Sequence, residues 1–153
     1  MKHDISATAT ANLNDLIGLL KQRLQSSGKA KATDTHGNIT YIDTDIFSRE
    51  SLEAFIYLSL SDFNQVPQFT FFTLEDTKFI KIFTDILVEG AVVYALGSKA
   101  LVEKGREFQI TDGGITFDPP TVSDLLNTQY SALLRFHWEK LKTIKSRISE
   151  FKQ

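Results

Sequence analysis

TLEDTKFIKIFTDILVEGAVVYALGSKALVEKGREFQITDGGITFDPP, residues 73–120, is the stretch around which the rest of the chain has to be arranged. Thr73-Leu74-Glu75-Asp76 opens it with a hydroxyl followed three residues later by an acid, a pattern that satisfies free N–H groups at a helix start. Apolar residues then run almost without pause from Phe79 to Leu101. The reading is one long helix from about Leu74 to about Lys104, with Gly105 placed to end it. A helix apolar round most of its circumference must be covered round most of it. Gly90, Ala91, Ala95, Gly97 and Ala100 put small residues through its second half. Each interior glycine costs about 1 kcal/mol against alanine, which points to close approach by another helix; a tolerated kink is the alternative.

The same stretch then changes period. In Arg106–Thr111, Asp112-Gly113 and Gly114–Phe117, an Asp-Gly pair lies between alternating apolar residues, the strongest short-range signal for a β-hairpin. With Asp112-Gly113 as a two-residue loop, Ile110 opposes Ile115 and Phe108 opposes Phe117. The four apolar side chains then share one face. A two-stranded hairpin is marginal alone in water, so this face must lie on the long helix or on another chain. Asp118-Pro119-Pro120 ends it.

Before this stretch, Asn12 is placed to cap a first helix carrying Leu13, Leu16, Ile17, Leu20 and Leu24 on one face, with Gly28 stopping it. Residues 1–9 are small and polar and read as flexible. Residues 29–45 favour extended structure around the turn chemistry of His36-Gly37-Asn38, and a short hairpin and a surface loop both fit. Ser48 caps a second helix in which Leu52, Phe55, Ile56, Ser59, Leu60 and Phe63 keep helical spacing up to Pro67. Phe69, Phe71 and Phe72 follow, and three rings in water would be an aggregation liability, so they are expected to tuck under neighbouring helices.

After Pro120, Thr121–Asp124 opens a last helix. Tyr130, Leu134, His137, Leu141, Ile144, Ile148 and Phe151 recur at alternating spacings of four and three, a heptad seam. Its outer face is basic, with Arg135, Lys140, Lys142, Lys145, Arg147 and Lys152. From Val122 to Phe151 such a helix is about 45 Å long, against a radius of gyration near 15 Å for a domain of this size, so one end is expected to protrude. The fold class is mainly α: a single-domain helical bundle with a long central apolar helix, a projecting β-hairpin at about 107–117 and a long C-terminal helix.

Composition narrows the function classes. The 153 residues include 12 Phe, are 42% hydrophobic and carry a net charge of −2, which favours neither bulk nucleic-acid binding nor an anionic membrane surface. There is no cysteine for a disulfide or thiolate site. No apolar run follows the N-terminus as a signal peptide would require, and Lys81, Asp85, Glu89 and Lys99 interrupt the greasiest window, against a transmembrane span. His3, His36 and His137 are scattered, without a second ligand at metal-binding spacing; His137, inside the seam, reads as a core histidine. Glu75-Asp76 reads as helix-start charge. No serine or threonine is nominated as a nucleophile. The expectation is no enzyme, no catalytic residue, no cofactor and no metal.

The stretch from Leu52 to Leu141 resembles head-to-tail connector proteins of tailed bacteriophages, also called adaptor or neck proteins. The resemblance is carried by Leu58-Ser59-Leu60-Ser61-Asp62-Phe63-Asn64 before Pro67, by Leu96–Phe108, by the turn Thr111–Gly114 and by the Phe117–Pro120 exit. It implies a virion structural protein, made in the host cytoplasm and placed in the neck. There it would form a homo-oligomeric, twelve-fold ring between the portal protein and the tail or next neck protein, with DNA only as passing cargo and no membrane. On that reading Phe108, Ile110, Ile115 and Phe117, with the turn Asp112-Gly113, form an oligomer or partner interface. Arg135, Lys142, Lys145, Arg147 and Phe151 meet the partner or the channel. The alternative is a helical interaction module working through its C-terminal heptads.

Overall fold

The computed structural model describes residues 5–24, 27–111 and 122–150. Its order is α1 (Ala7–Leu24), β1 (Ser27–Thr33), β2 (Ile39–Asp45), α2 (Arg49–Gln65), α3 (Thr77–Ile82), α4 (Thr84–Thr111) and α5 (Val122–Glu150). The protein is mainly helical with one small antiparallel hairpin among the described residues and a long C-terminal helix. Helix α4 is the hub: α5, α2 and α1 all pack on it.

Helix α1 buries Leu13, Leu16, Ile17 and Leu20, the face expected from their spacing. It starts earlier than expected, at Ala7, within the span read as flexible. Ser6 does the capping: its Oγ accepts from the Ala9 N–H at 3.1 Å and its carbonyl from the Thr10 N–H at 2.9 Å. Asn12 is therefore not a cap. It is buried inside the helix, where its amide donates to the Leu74 carbonyl at 2.7 Å and to Thr77 Oγ1 at 3.1 Å. Asparagine is a poor helix former because its side chain seeks backbone partners; here the partner lies across the helix interface.

Of the two readings of 29–45, the hairpin is the one realised, with Thr33 opposite Ile39 and Ser27 opposite Asp45. Gly28 lies within β1. Asp34 organises the turn: Oδ1 accepts from the N–H groups of His36 and Asn38, each at 2.8 Å. Those bonds, the one from Asn38 first, hold the carboxyl below its ordinary range. Gly37 adopts φ +83°, a left-handed conformation that side chains disfavour.

Helix α2 follows the sequence reading closely. Ser48 Oγ accepts from the Ser51 N–H at 3.2 Å, and Leu52, Phe55, Ile56, Ser59, Leu60 and Phe63 are all buried. The Val66–Pro67 peptide bond is cis.

The expected single helix from Leu74 to Lys104 is instead two. Asp76 Oδ2 accepts from the Thr73 N–H at 2.7 Å, and Thr73 Oγ1 from the Glu75 N–H at 3.3 Å, so the hydroxyl and acid act together, one turn before α3 begins. Helix α3 stops at Ile82, because the Thr84 hydroxyl takes the Ile80 carbonyl at 2.6 Å, a back-bond that competes with the regular ladder. The break lets Phe79 and Phe83 both reach Phe63, at centroid distances of 5.0 and 5.2 Å, while Phe72 stacks on Phe79 at 4.2 Å. Offset or edge-on pairs of this kind contribute about 0.5–1.5 kcal/mol each beyond area burial.

Helix α4 continues through Gly105 to Thr111, which corrects two expectations. Gly105 does not terminate it: one interior glycine costs only about 1 kcal/mol, and Glu103, Lys104, Arg106, Glu107 and Gln109 around it are good helix formers. The hairpin expected at about 107–117 is not formed on its first side, since 107–111 are helical; 112–121 lie outside the described residues.

Helix α5 lays its heptad seam on α4. His137 and Leu141 are fully buried, and Tyr130, Leu134, Ile144 and Ile148 are half-buried along the same line. The small residues of α4 receive this seam. A Cβ on Gly97 would stand 2.7 Å from the Tyr130 ring, and one on Gly90 would stand 2.3 Å from Ser59 Oγ and 2.7 Å from His137 Nε2. Close helix approach, not a kink, is what these two glycines serve.

Candidate functional site

Three places concentrate features that packing does not require. The first is the connection between α2 and α3. Asn64 pins it: Oδ1 accepts from the Phe72 N–H and the Thr70 hydroxyl, each at 3.0 Å, Nδ2 donates to the Phe72 carbonyl at 2.9 Å, and the Asn64 carbonyl accepts from the Thr70 N–H at 2.9 Å. Lys145 of α5 adds a bond from Nζ to the Gln68 carbonyl at 2.6 Å. The chain here alternates, with Thr70 and Phe72 held inward. Phe69 and Phe71 point to solvent, 78% and 91% exposed. The expectation that all three rings tuck under the helices holds only for Phe72. Period-two alternation after Pro67 was the sequence signal for this, and Asn64 the residue that enforces it.

The second is a cleft of about 390 Å³ between α2, α4 and α5. Phe55 and Leu58 form one wall, Gly97, Ala100 and Leu101 the floor, and Asp124, Asn127 and Tyr130 the other wall. At its inner end Tyr94 donates its hydroxyl to the Asp62 carboxylate, which also accepts from Trp138 Nε1 at 3.5 Å. Burial first, and then Asp62, push the Tyr94 hydroxyl well above the ordinary phenol range. This cluster ties α2, α4 and α5 together and was not anticipated, since Asp62, Tyr94 and Trp138 are far apart in the chain.

The third is the buried node at Gly90. Ser59 Oγ donates to the Leu87 carbonyl at 2.6 Å. Beside it, neither ring nitrogen of His137 has a hydrogen-bond partner among the described residues. Burial holds this imidazole below its ordinary range, against the opposing pull of the Glu89 and Asp62 carboxylates.

The residues expected to meet a partner fall only partly within the described residues. Phe108 and Ile110 belong to α4, so the strand alternation that would align them with Ile115 and Phe117 does not operate. Asp112, Gly113, Ile115, Phe117 and Phe151 lie outside the described residues. Arg135, Lys142 and Arg147 are exposed on α5, Lys142 pairing with Glu139 at 3.2 Å. Lys145 departs from expectation. It is 3% exposed, with its ammonium on the Gln68 carbonyl and 5.2 Å from the centre of the Phe63 ring, and burial lowers it to about 8. Its place four residues after Leu141, on the buried side of α5, was the available signal. Lys145 is an internal fastener and not part of the basic outer face.

Among the described residues no group of histidines and carboxylates could hold a metal ion. Among them, too, no helix is long and apolar enough to cross a membrane. Comparison with protein-family models, with curated proteins and with solved structures gives no match.

Proposed function

We propose that this chain is an assembly subunit rather than a catalyst: a head-to-tail connector of the bacteriophage neck type, forming a homo-oligomeric ring between portal and tail through which DNA passes. The observation that carries the reading is the Phe69/Phe71 pair, held in water by a backbone fastened at both Asn64 and Lys145. Rigid exposure of two large rings costs solubility and contributes nothing to the subunit's own core; it is of use where a partner covers them. A ring requires two different, complementary surfaces on each subunit. The cleft between α2, α4 and α5 is a second surface, distinct from the first. On this reading, which the sequence pattern of residues 52–141 suggested, the location would be a virion neck assembled in the host cytoplasm.

The native mass of the purified chain, alone and with a portal protein, tests this. Rings, or binding to portal, are expected; a chain that stays monomeric at every concentration and ignores portal refutes the reading. One observation favours a second reading, a helical interaction module. Leu125, Leu133 and Phe136 are exposed along one flank of α5, at 59%, 42% and 66%. If that flank is the working surface, Leu133→Glu with Phe136→Glu abolishes partner capture while the mass of the chain alone is unchanged.

A further inference from the structure

We infer that α5 is an acid-released latch: it docks on a bundle whose core closes without it, and protonation of His137 lets it go. Helices α1, α2 and α4 each pack on the other two, while α5 packs on α4. Of the buried side chains that form the hydrophobic core, Leu141 is the one that α5 supplies; Ile144 and Ile148 lie half-buried at its border. A helix attached in this way can open as a unit, at less cost than unfolding the whole chain.

The seam that holds α5 down is rich in bases. His137, Leu141 and Lys145 are its buried side chains among the described residues, 1%, 1% and 3% exposed. A lysine is almost never buried unless paired, and Lys145 has the Gln68 carbonyl and the face of the Phe63 ring. His137 has no such provision. Neither ring nitrogen finds a partner among the described residues, and Gly90 brings α4 against the ring, a Cβ there standing 2.7 Å from Nε2. The carboxylates that could serve an imidazolium are already engaged. Glu89 of α4 pairs with Lys140 at 2.7 Å, and Asp62 of α2 accepts from Tyr94 of α4 and Trp138 of α5. Lys140 adds a like charge on α5 itself. A proton on docked His137 is therefore a buried charge with no acceptor of its own, whereas the same ring on a released helix is hydrated.

Burial holds the docked imidazole below its ordinary range, with Glu89 and then Asp62 pulling it up and Lys140 pushing it down. Above about pH 6.5 the docked and released forms are both neutral, and the latch is shut. Below it the released form takes up a proton that the docked form refuses. The docking constant then falls by up to about tenfold per pH unit until the docked ring itself titrates. Lys145, lowered by burial to about 8, keeps its proton throughout this range, so His137 sets the slope. Release also takes Lys145 off the Gln68 carbonyl, leaving the connection that carries Phe69 and Phe71 with its Asn64 tie alone.

Amide hydrogen exchange of the full chain tests this, read helix by helix from about pH 7.5 to about pH 5 and corrected for the intrinsic rate. The opening constant of α5 should rise by up to about tenfold per unit below about pH 6.5, while α1 and α2 keep their protection. In His137→Leu the α5 constant should stay flat over the same range. Exchange of α5 in step with α1 and α2 at every pH overturns the latch, because the helix then opens only with the whole bundle. An acid rise of the same size in His137→Leu overturns the trigger. The His137 ring-proton signals of the wild type give a reading that needs no variant. Titration at or above about pH 6.5 overturns the proposal, and a ring still neutral well below that value supports it.

Discussion

Replacing Gly90 with alanine pits helix propensity against helix packing, and the two predict opposite signs. Propensity alone makes Gly90→Ala stabilising by about 1 kcal/mol in a helix interior. The structure puts the new methyl 2.3 Å from Ser59 Oγ and 2.7 Å from His137 Nε2, both buried. Relief requires Ser59 to turn away, losing its 2.6 Å bond to the Leu87 carbonyl, worth about 0.5–1.5 kcal/mol. It also requires His137 and α5 to shift outward, overpacking that costs about 1–3 kcal/mol. The expected net is a loss of about 1–3 kcal/mol. For a chain of this length that is a fall in Tm of roughly 2–4 °C per kcal/mol. Urea unfolding of both proteins, with the slope unchanged, reads the difference as a shift in midpoint. Adding Ser59→Ala should recover part of the loss, since the closest obstructing atom is then gone. A Gly90→Ala protein more stable than wild type would falsify the close-crossing account of α2, α4 and α5.

His137→Leu removes two buried nitrogens that lack partners, and should stabilise by about 1–3 kcal/mol at neutral pH. Because the folded imidazole resists protonation that the unfolded one accepts near pH 6.5, wild-type stability is complete above that pH and falls below it. The opposing Glu89 and Asp62 carboxylates and Lys140 set how far the folded value drops. The leucine variant should show a flatter acid limb in pH-dependent melts, and an unchanged limb rules out His137 as its source. Asn12→Ala orphans the Leu74 carbonyl and should cost about 1–3 kcal/mol, seen first as faster amide exchange in α1 and α3; Asn12→Asp should cost more, since it sets a carboxylate against that carbonyl. Lys145→Met keeps the stem over Phe63 but frees the Gln68 carbonyl, whereas Lys145→Ala loses both, so the alanine variant should melt lower. Equal melting of the two would place all of the effect in the carbonyl bond.

Much of this molecule can be read locally. The apolar faces of α1 and α2, the Ser48 cap, the seam of α5 and the small residues of α4 each follow from spacing within about thirty residues, because helix periodicity and capping are nearest-neighbour physics. Mainly helical architecture follows from them. Local signals also misled. The Asp112-Gly113 pair with its alternating neighbours argued for strand at 107–111, and Gly105 for a helix end, yet α4 runs through both. A glycine states what the backbone can do, and at Gly105 the continuing helix outweighed it; the Asp112-Gly113 turn itself lies outside the described residues. Asn12 likewise has the chemistry of a cap, and only the nearness of Leu74 in space makes it a cross-link.

What tertiary structure alone decides is which groups meet across the chain and which are left in water. Lys145 became internal because the Gln68 carbonyl and the Phe63 ring arrive beside it from another element. Asp62, Tyr94 and Trp138 became one cluster for the same reason. Phe69 and Phe71 stay exposed because Asn64 and Lys145 fix the backbone between them, an outcome opposite to what their hydrophobicity favours. Hydrophobic pattern specifies how much surface a chain must bury; only the packed arrangement settles which rings find cover at home and which are left for a neighbour.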